Sequence, residues 1–352
     1  MQVARRLDGR RVLRCASGFD VPLANLAAAA GLTAAALAVA AYALGVGATE
    51  LGIGVALRAV FGADVGGDQA FALWQVRLPH ILLGFMAGWC VALSGAMLQS
   101  LAQNPLADPG LLGLSQGAMV ALMVLLVFFP DLPHGLAPFV ALAGGLGVAV
   151  LILVMVGWEQ ADGLAILLMG IALETTLSAV ASLLILYTPP ETSYALSDWL
   201  AGSLFGASWP IISAFAPWFA LSLPVILLAG PSLKSFDLGD EAALALGENV
   251  RRTRPAILLA AVLLTSAAVT AVGPLIFLGV IAPHIADAVS RSTGRARLVL
   301  SALVGGLLVV GGDTLTRSVT SGVALPTGLA ITIIGVPLFI ATLRLRALRT
   351  VP

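Results

Sequence analysis

The chain has 352 residues, no formal net charge, 59% hydrophobic residues and only 10% charged ones, and its mean hydropathy is +1.03. A soluble domain carries about a quarter charged residues, so the composition excludes a soluble enzyme and a nucleic-acid-binding protein. It requires an integral membrane protein.

A basic segment, residues 1–22, comes first. Runs able to cross ~30 Å of hydrocarbon at about 20 residues each then extend from Leu23 to Gly47, Ile81 to Leu101, Leu111 to Phe129, Leu136 to Gly157 and Leu164 to Leu186. Five more follow: Ile211 to Ala229, Ala256 to Val272, Leu275 to Val289, Leu298 to Val310 and Gly328 to Leu343. These are about ten transmembrane helices, an all-α plan, because the runs are continuous and lack the period of two that a barrel requires. Gly273 and Pro274 leave open whether the seventh and eighth runs are one bent element. The first run is too long for the h-region of a cleaved signal, so no cleavage is expected. Cys15 and Cys90 are expected to be unpaired packing residues.

With ten spans, fifteen of the eighteen Lys and Arg residues fall on one side, and Arg58, Arg77 and Arg317 on the other. By the positive-inside rule both termini, 1–22 and 346–352, are cytoplasmic. Trp74, Trp199 and Trp209 then lie near the outer interface and Trp158 near the inner one. The same side holds the one sizeable hydrophilic island, residues 231–254, within a membrane domain of residues 23–345. After the turn signals Pro231 and Gly239 this island is expected to form short helices ending at Gly247. Leu238, Ala242 and Leu246, spaced four apart, would give an apolar stripe.

The only lysine, Lys234, stands in PSLKS, and no P-loop occurs. Any ATP and Mg would therefore be bound by a partner; no cofactor is expected on this chain. His80, His134 and His284 match no metal pattern. Ionisable residues inside spans are costly and are functional candidates by default. They are Glu174, Asp287 and Asp313. The aspartates lie near span ends, where water or backbone can satisfy them. Glu174 is mid-span, either lining a watery path or buried and hydrogen-bonded. Together the three would suit the relay of a proton-coupled secondary transporter; a carrier, however, has no need of a cytoplasmic docking island. The breaks in Ser94 to Ala118, Val272 to Ala286 and Ala324 to Phe339 put Pro and Gly where backbone is buried or lines a cavity. In the first of these, Gly95, Gly113 and Gly117 allow close helix contact.

The stretch WQVRLPHILLGFMAGWCVALSGAMLQSLAQNPLADPGLLGLSQGA, with WLAGSL, ALALGENV, GPLIFLGVIAPHI, DTLTR and LPTGLAITIIGVPLF, resembles the FecCD family. These are permease subunits of type II ATP-binding-cassette importers for iron-siderophores, haem and cobalamin. The resemblance implies a ten-helix permease in the bacterial inner membrane. Its partners would be a second permease, identical or homologous, two cytoplasmic ATP-binding subunits and a periplasmic binding protein. It implies that Asp237, Leu238, Glu241, Ala242, Leu246 and Gly247 couple to the ATPase. Asn104, Pro105 and Leu106 would form the cytoplasmic gate, with Glu159 to Gly163 at the place of a second gate but lacking its hydroxyls. Glu174, Thr175 and Ser178 would line the path, and Arg77, His80 and Arg317 would dock the binding protein. His80 stands where the commoner motif has arginine, and Arg77 could instead be a lipid anchor. WLAGSLFGASW favours a ferric siderophore as cargo, ahead of haem and cobalamin.

Overall fold

The computed structural model describes residues 2–5, 11–14, 20–47, 51–129, 136–157, 163–188, 199–319 and 325–350. Cys15, His134, Trp158 and all of the expected second gate loop except Gly163 lie outside these residues. Three short strands, β1 (Gln2–Arg5), β2 (Arg11–Arg14) and β3 (Asp20–Pro22), form an antiparallel sheet in chain order. This sheet differs from the all-α plan expected of the sequence. The helices are α1 (Leu23–Gly45), α2 (Ile53–Val60), α3 (Gly67–Ala102), α4 (Leu114–Phe128), α5 (Ala137–Val156) and α6 (Gly163–Leu184). They continue with α7 (Trp209–Phe236), α8 (Asp240–Ala245), α9 (Val250–Val272), α10 (Leu278–Val289), α11 (Arg295–Val319) and α12 (Thr327–Thr350). Among the described residues, seven helices have the length and apolarity to cross a membrane, and α4, α10 and the first part of α12 are shorter apolar helices. These match the ten expected runs. Gly273, with φ +73°, ends α9, and α10 begins only at Leu278, so the seventh and eighth runs are separate helices.

Helix α3 is the centre of the bundle, packed most extensively on α11 and then on α9. Glycine makes this possible. A Cβ on Gly88 would stand 2.4 Å from the Gly305 carbonyl oxygen, and one on Gly95 would stand 2.1 Å from that of Gly279. The helices therefore meet backbone to backbone, the close approach that small residues permit in membranes. Gly117 meets Gly144 of α5 in the same way.

Several helices run through proline. Pro217, Pro224 and Pro231 all lie inside α7, so Pro231 is not the turn the sequence suggested. A helical proline leaves the carbonyl four residues earlier without its donor, and in a membrane that group needs a substitute. Arg295 Nε donates to Leu227 O at 2.9 Å, replacing the donor lost at Pro231. Gln99 Nε2 donates to Gly279 O at 3.3 Å, opposite Pro283 in α10. In α3 the turns before Pro79 relax into a π segment, Ala72–Arg77, and Trp209 Nε1 donates to Trp74 O there at 2.8 Å. Each continuity depends on a side chain distant in sequence.

Candidate functional site

At the end of the bundle that carries most arginines, α3 closes with Gln103 in the left-handed region, φ 48°. Asn104 then folds the chain back: its Oδ1 accepts the Leu106 N–H at 2.9 Å, a side-chain mimic of a backbone turn. Pro105 and Leu106 are exposed at the tip. Asp108 is buried at the base, where its carboxylate accepts the N–H groups of Gly110 at 3.4 Å and Phe277 at 3.1 Å.

Beside this hairpin lies the island. Gly239, at φ +99°, interrupts it, so α8 spans only Asp240–Ala245, and Gly247, at φ +85°, ends it as expected. Because Gly239 breaks the helix, Leu238 and Ala242 do not share one continuous stripe. Ala242 is half-buried and Ala243 fully buried; the outward leucines are Leu238, Leu244 and Leu246, 66%, 59% and 64% exposed. Asp237, Glu241 and Gly247 border them on the surface. Two arginines hold the segment. Arg254 pairs with Asp240 and lies over the Phe236 ring. Arg297 reaches Asp237 at 3.3 Å while donating to Ser100 Oγ at 2.8 Å and Gln99 Oε1 at 2.9 Å, at the end of α3. Gln103 Nε2 bridges the hairpin to Phe236 O and Asp240. Between hairpin and island is a cavity of about 790 Å3 lined by Asn104, Pro105, Leu238 and Glu241 among others. The expected gate and the expected coupling segment are therefore one contiguous structure. Gln99, Gln103, Asp240, Arg254 and Arg297 join them, and no motif singled out these residues; only their position beside NPLA and the island hinted at it.

At the opposite end Arg77, His80 and Arg317 come together, with His80 in electrostatic reach of Arg317 and Asp313. Their roles differ. Arg77 is 2% exposed and donates to Leu44 O at the end of α1, under the chain at Gly47. The expectation that it presents charge at the surface, whether to a protein or to lipid, is corrected: its guanidinium is turned inward. His80 Nδ1 donates to Val76 O at 2.8 Å. Arg317 is partly exposed and pairs with Asp313 at 2.8 Å, which also accepts from Thr327 of α12 at 3.3 Å.

Glu174 is half-buried on α6, beside the left-handed Gly113 turn, where an added Cβ would stand 3.0 Å from the Glu174 nitrogen. Ser178 Oγ donates to its carboxylate at 3.4 Å. Thr175, Thr176 and Ser182 on the exposed face donate their hydroxyls back to carbonyls of α6 at 2.8–3.0 Å. Asp287 of α10 lies 4.0 Å from Arg297 of α11, whereas Glu174 is partnered by Ser178 within α6 and Asp313 by Arg317 within α11.

The multi-helix membrane bundle, with its broken helices and arginine-braced island, is that of an ABC importer permease, as the proteins it resembles show. Residues 33–345 match the FecCD transport family, and the chain belongs to it. It is 36% identical to the Fe(3+)-citrate import system permease protein YfmE of Bacillus subtilis (strain 168), over 79% of this chain and 83% of that protein. It is also 36% identical to the vitamin B12 import system permease protein BtuC of Vibrio cholerae serotype O1 (strain ATCC 39315 / El Tor Inaba N16961), over 76% of this chain and 81% of that protein. Among solved structures, an inward-facing conformation of a putative metal-chelate type ABC transporter is similar, with a TM-score of 0.79 and 25% identity, covering 91% of this chain and 99% of that one. Family membership overturns the alternative of a proton-coupled carrier built on Glu174, Asp287 and Asp313.

Proposed function

We propose that the chain passes an intact ferric siderophore from a periplasmic binding protein to the cytoplasm, across the bacterial inner membrane, as one of two permease subunits driven by two ATP-hydrolysing subunits. The observation that carries this reading is the island. Leu238, Leu244 and Leu246 are exposed on a segment braced by Arg254 and Arg297, an apolar contact rigidly tied to the gate hairpin. A groove on an ATPase would bury those leucines, and movement there would reach Asn104 through Gln103. The arginine-rich end faces the cytoplasm in this reading, which leaves Arg317 with Asp313 to meet the binding protein outside.

The exposed face of α6 suits a bulky chelate. Its Thr175 and Thr176 protons are committed to its own backbone, so it offers acceptors but few donors and holds a cargo weakly. The equal identity to the vitamin B12 permease favours cobalamin as the second reading. Uptake into proteoliposomes containing permease, ATPase and binding protein decides between them. ATP-dependent accumulation of radiolabelled ferric siderophore, with none of cobalamin, is the expected result; the reverse preference overturns the cargo assignment.

A further inference from the structure

A separate cavity of about 660 Å3 lies at the arginine-rich end, where the start of α1, the last turns of α7 and the α10–α11 turn meet. Its floor is apolar: Leu26 and Ala29 of α1 face Val299 and Leu300 of α11. Lys234, Arg291 and Arg295 stand on its rim, and no carboxylate lines it among the described residues. Two helices begin beside it. Pro22 precedes α1 without a side-chain cap, and neither α1 nor α11 carries an acidic residue in its first turn. Their unsatisfied N–H groups and dipoles add positive potential. The Ser292 hydroxyl, another lining group, is buried with no hydrogen-bond partner among the described residues. Flanking helices α1 and α7 are the least covered of the long spans, with 11% and 17% of their apolar windows buried, so the cavity lies at the bundle's perimeter.

We propose that this cavity is a binding site for an anionic phospholipid, its phosphate held by Lys234, Arg291 and the two helix starts and its acyl chain laid on the apolar floor. Basic pockets between membrane helices take anionic headgroups. The floor selects lipid over free phosphate, which would need the rim alone. Arg295, tied to Leu227 O and packed on Gly230, shapes the wall and is left untouched in the test. The proposal needs the membrane-spanning fold but not the identity of the cargo.

Delipidated full-length permease in detergent is titrated with phosphatidylglycerol or phosphatidylcholine and read by native mass spectrometry. Wild type should prefer phosphatidylglycerol by at least about tenfold, and K234Q/R291Q should bind it about 30-fold more weakly, at roughly fivefold per basic residue near an anionic headgroup. R251Q/R252Q, which removes two exposed charges elsewhere at the same end, should change binding by less than about threefold. Ala29→Phe, filling the floor without altering charge, should also reduce retention. Equal affinity for the two lipids, equal losses in the two double variants, unchanged retention in Ala29→Phe, or displacement of the lipid by millimolar inorganic phosphate would each overturn the proposal.

Discussion

Helices α3 and α6 are equally apolar, yet 89% of the most apolar window of α3 is buried inside the chain against 22% of that of α6. Hydropathy therefore cannot separate the frame of this permease from its outward surface. Small residues can. In α3, Gly88 and Gly95 bring neighbouring backbones into contact, whereas α6 presents Thr175, Thr176 and Ser182 on a face that nothing among the described residues covers. The first arrangement fixes the bundle; the second leaves a polar-flecked surface, which the proposed second subunit or cargo would meet.

The largest expected effect comes from breaking the frame. Gly95→Leu drives a side chain into the Gly279 backbone, and overpacking against atoms that cannot yield costs about 3 kcal/mol or more; detergent-solubilised protein should unfold at a markedly lower temperature. Gly147→Leu, where nothing lies within 4 Å, should change stability by less than about 0.5 kcal/mol. Equal losses would dissolve the distinction. Next is Gln99→Leu, which leaves the Gly279 carbonyl opposite Pro283 without its donor and should cost about 1–3 kcal/mol in the same assay. Thiol labelling sharpens the other side of the comparison. Thr175→Cys and Ser178→Cys should react with small membrane-impermeant reagents in at least one nucleotide state, while the buried Cys90 remains unmodified in all of them. The smallest effect separates two arginines that the sequence treated alike. Arg317→Glu should slow association of the binding protein, an exposed-pair effect of roughly 0.2–1 kcal/mol that fades with salt. Arg77→Gln should instead lower thermal stability, since its guanidinium is buried against Leu44 O.

The ten apolar runs were legible because length and continuity are local properties. What escaped depends on distant partners. Pro231 reads as a turn, but α7 continues through it because Arg295, 64 residues later, supplies the missing donor. Arg77 reads as an exposed charge, yet its orientation depends on where α1 ends. The NPLA hairpin and the island were each visible as motifs; their union through Gln103, Asp240 and Arg297 was not, since isolated polar residues carry no spacing signal. The leucine stripe failed for a local reason: Gly239 takes a left-handed conformation that divides Leu238 from α8.

The central claim is that the outward leucines of the island are an ATPase contact. The direct measurement is ATPase stimulation in the assembled complex of L244E/L246E, with co-purification scored alongside. Both positions are exposed, so the permease should insert and unfold as wild type does while capture of the ATPase and its stimulation are lost. A correctly folded L244E/L246E permease that still captures and stimulates the ATPase at wild-type levels would contradict the account.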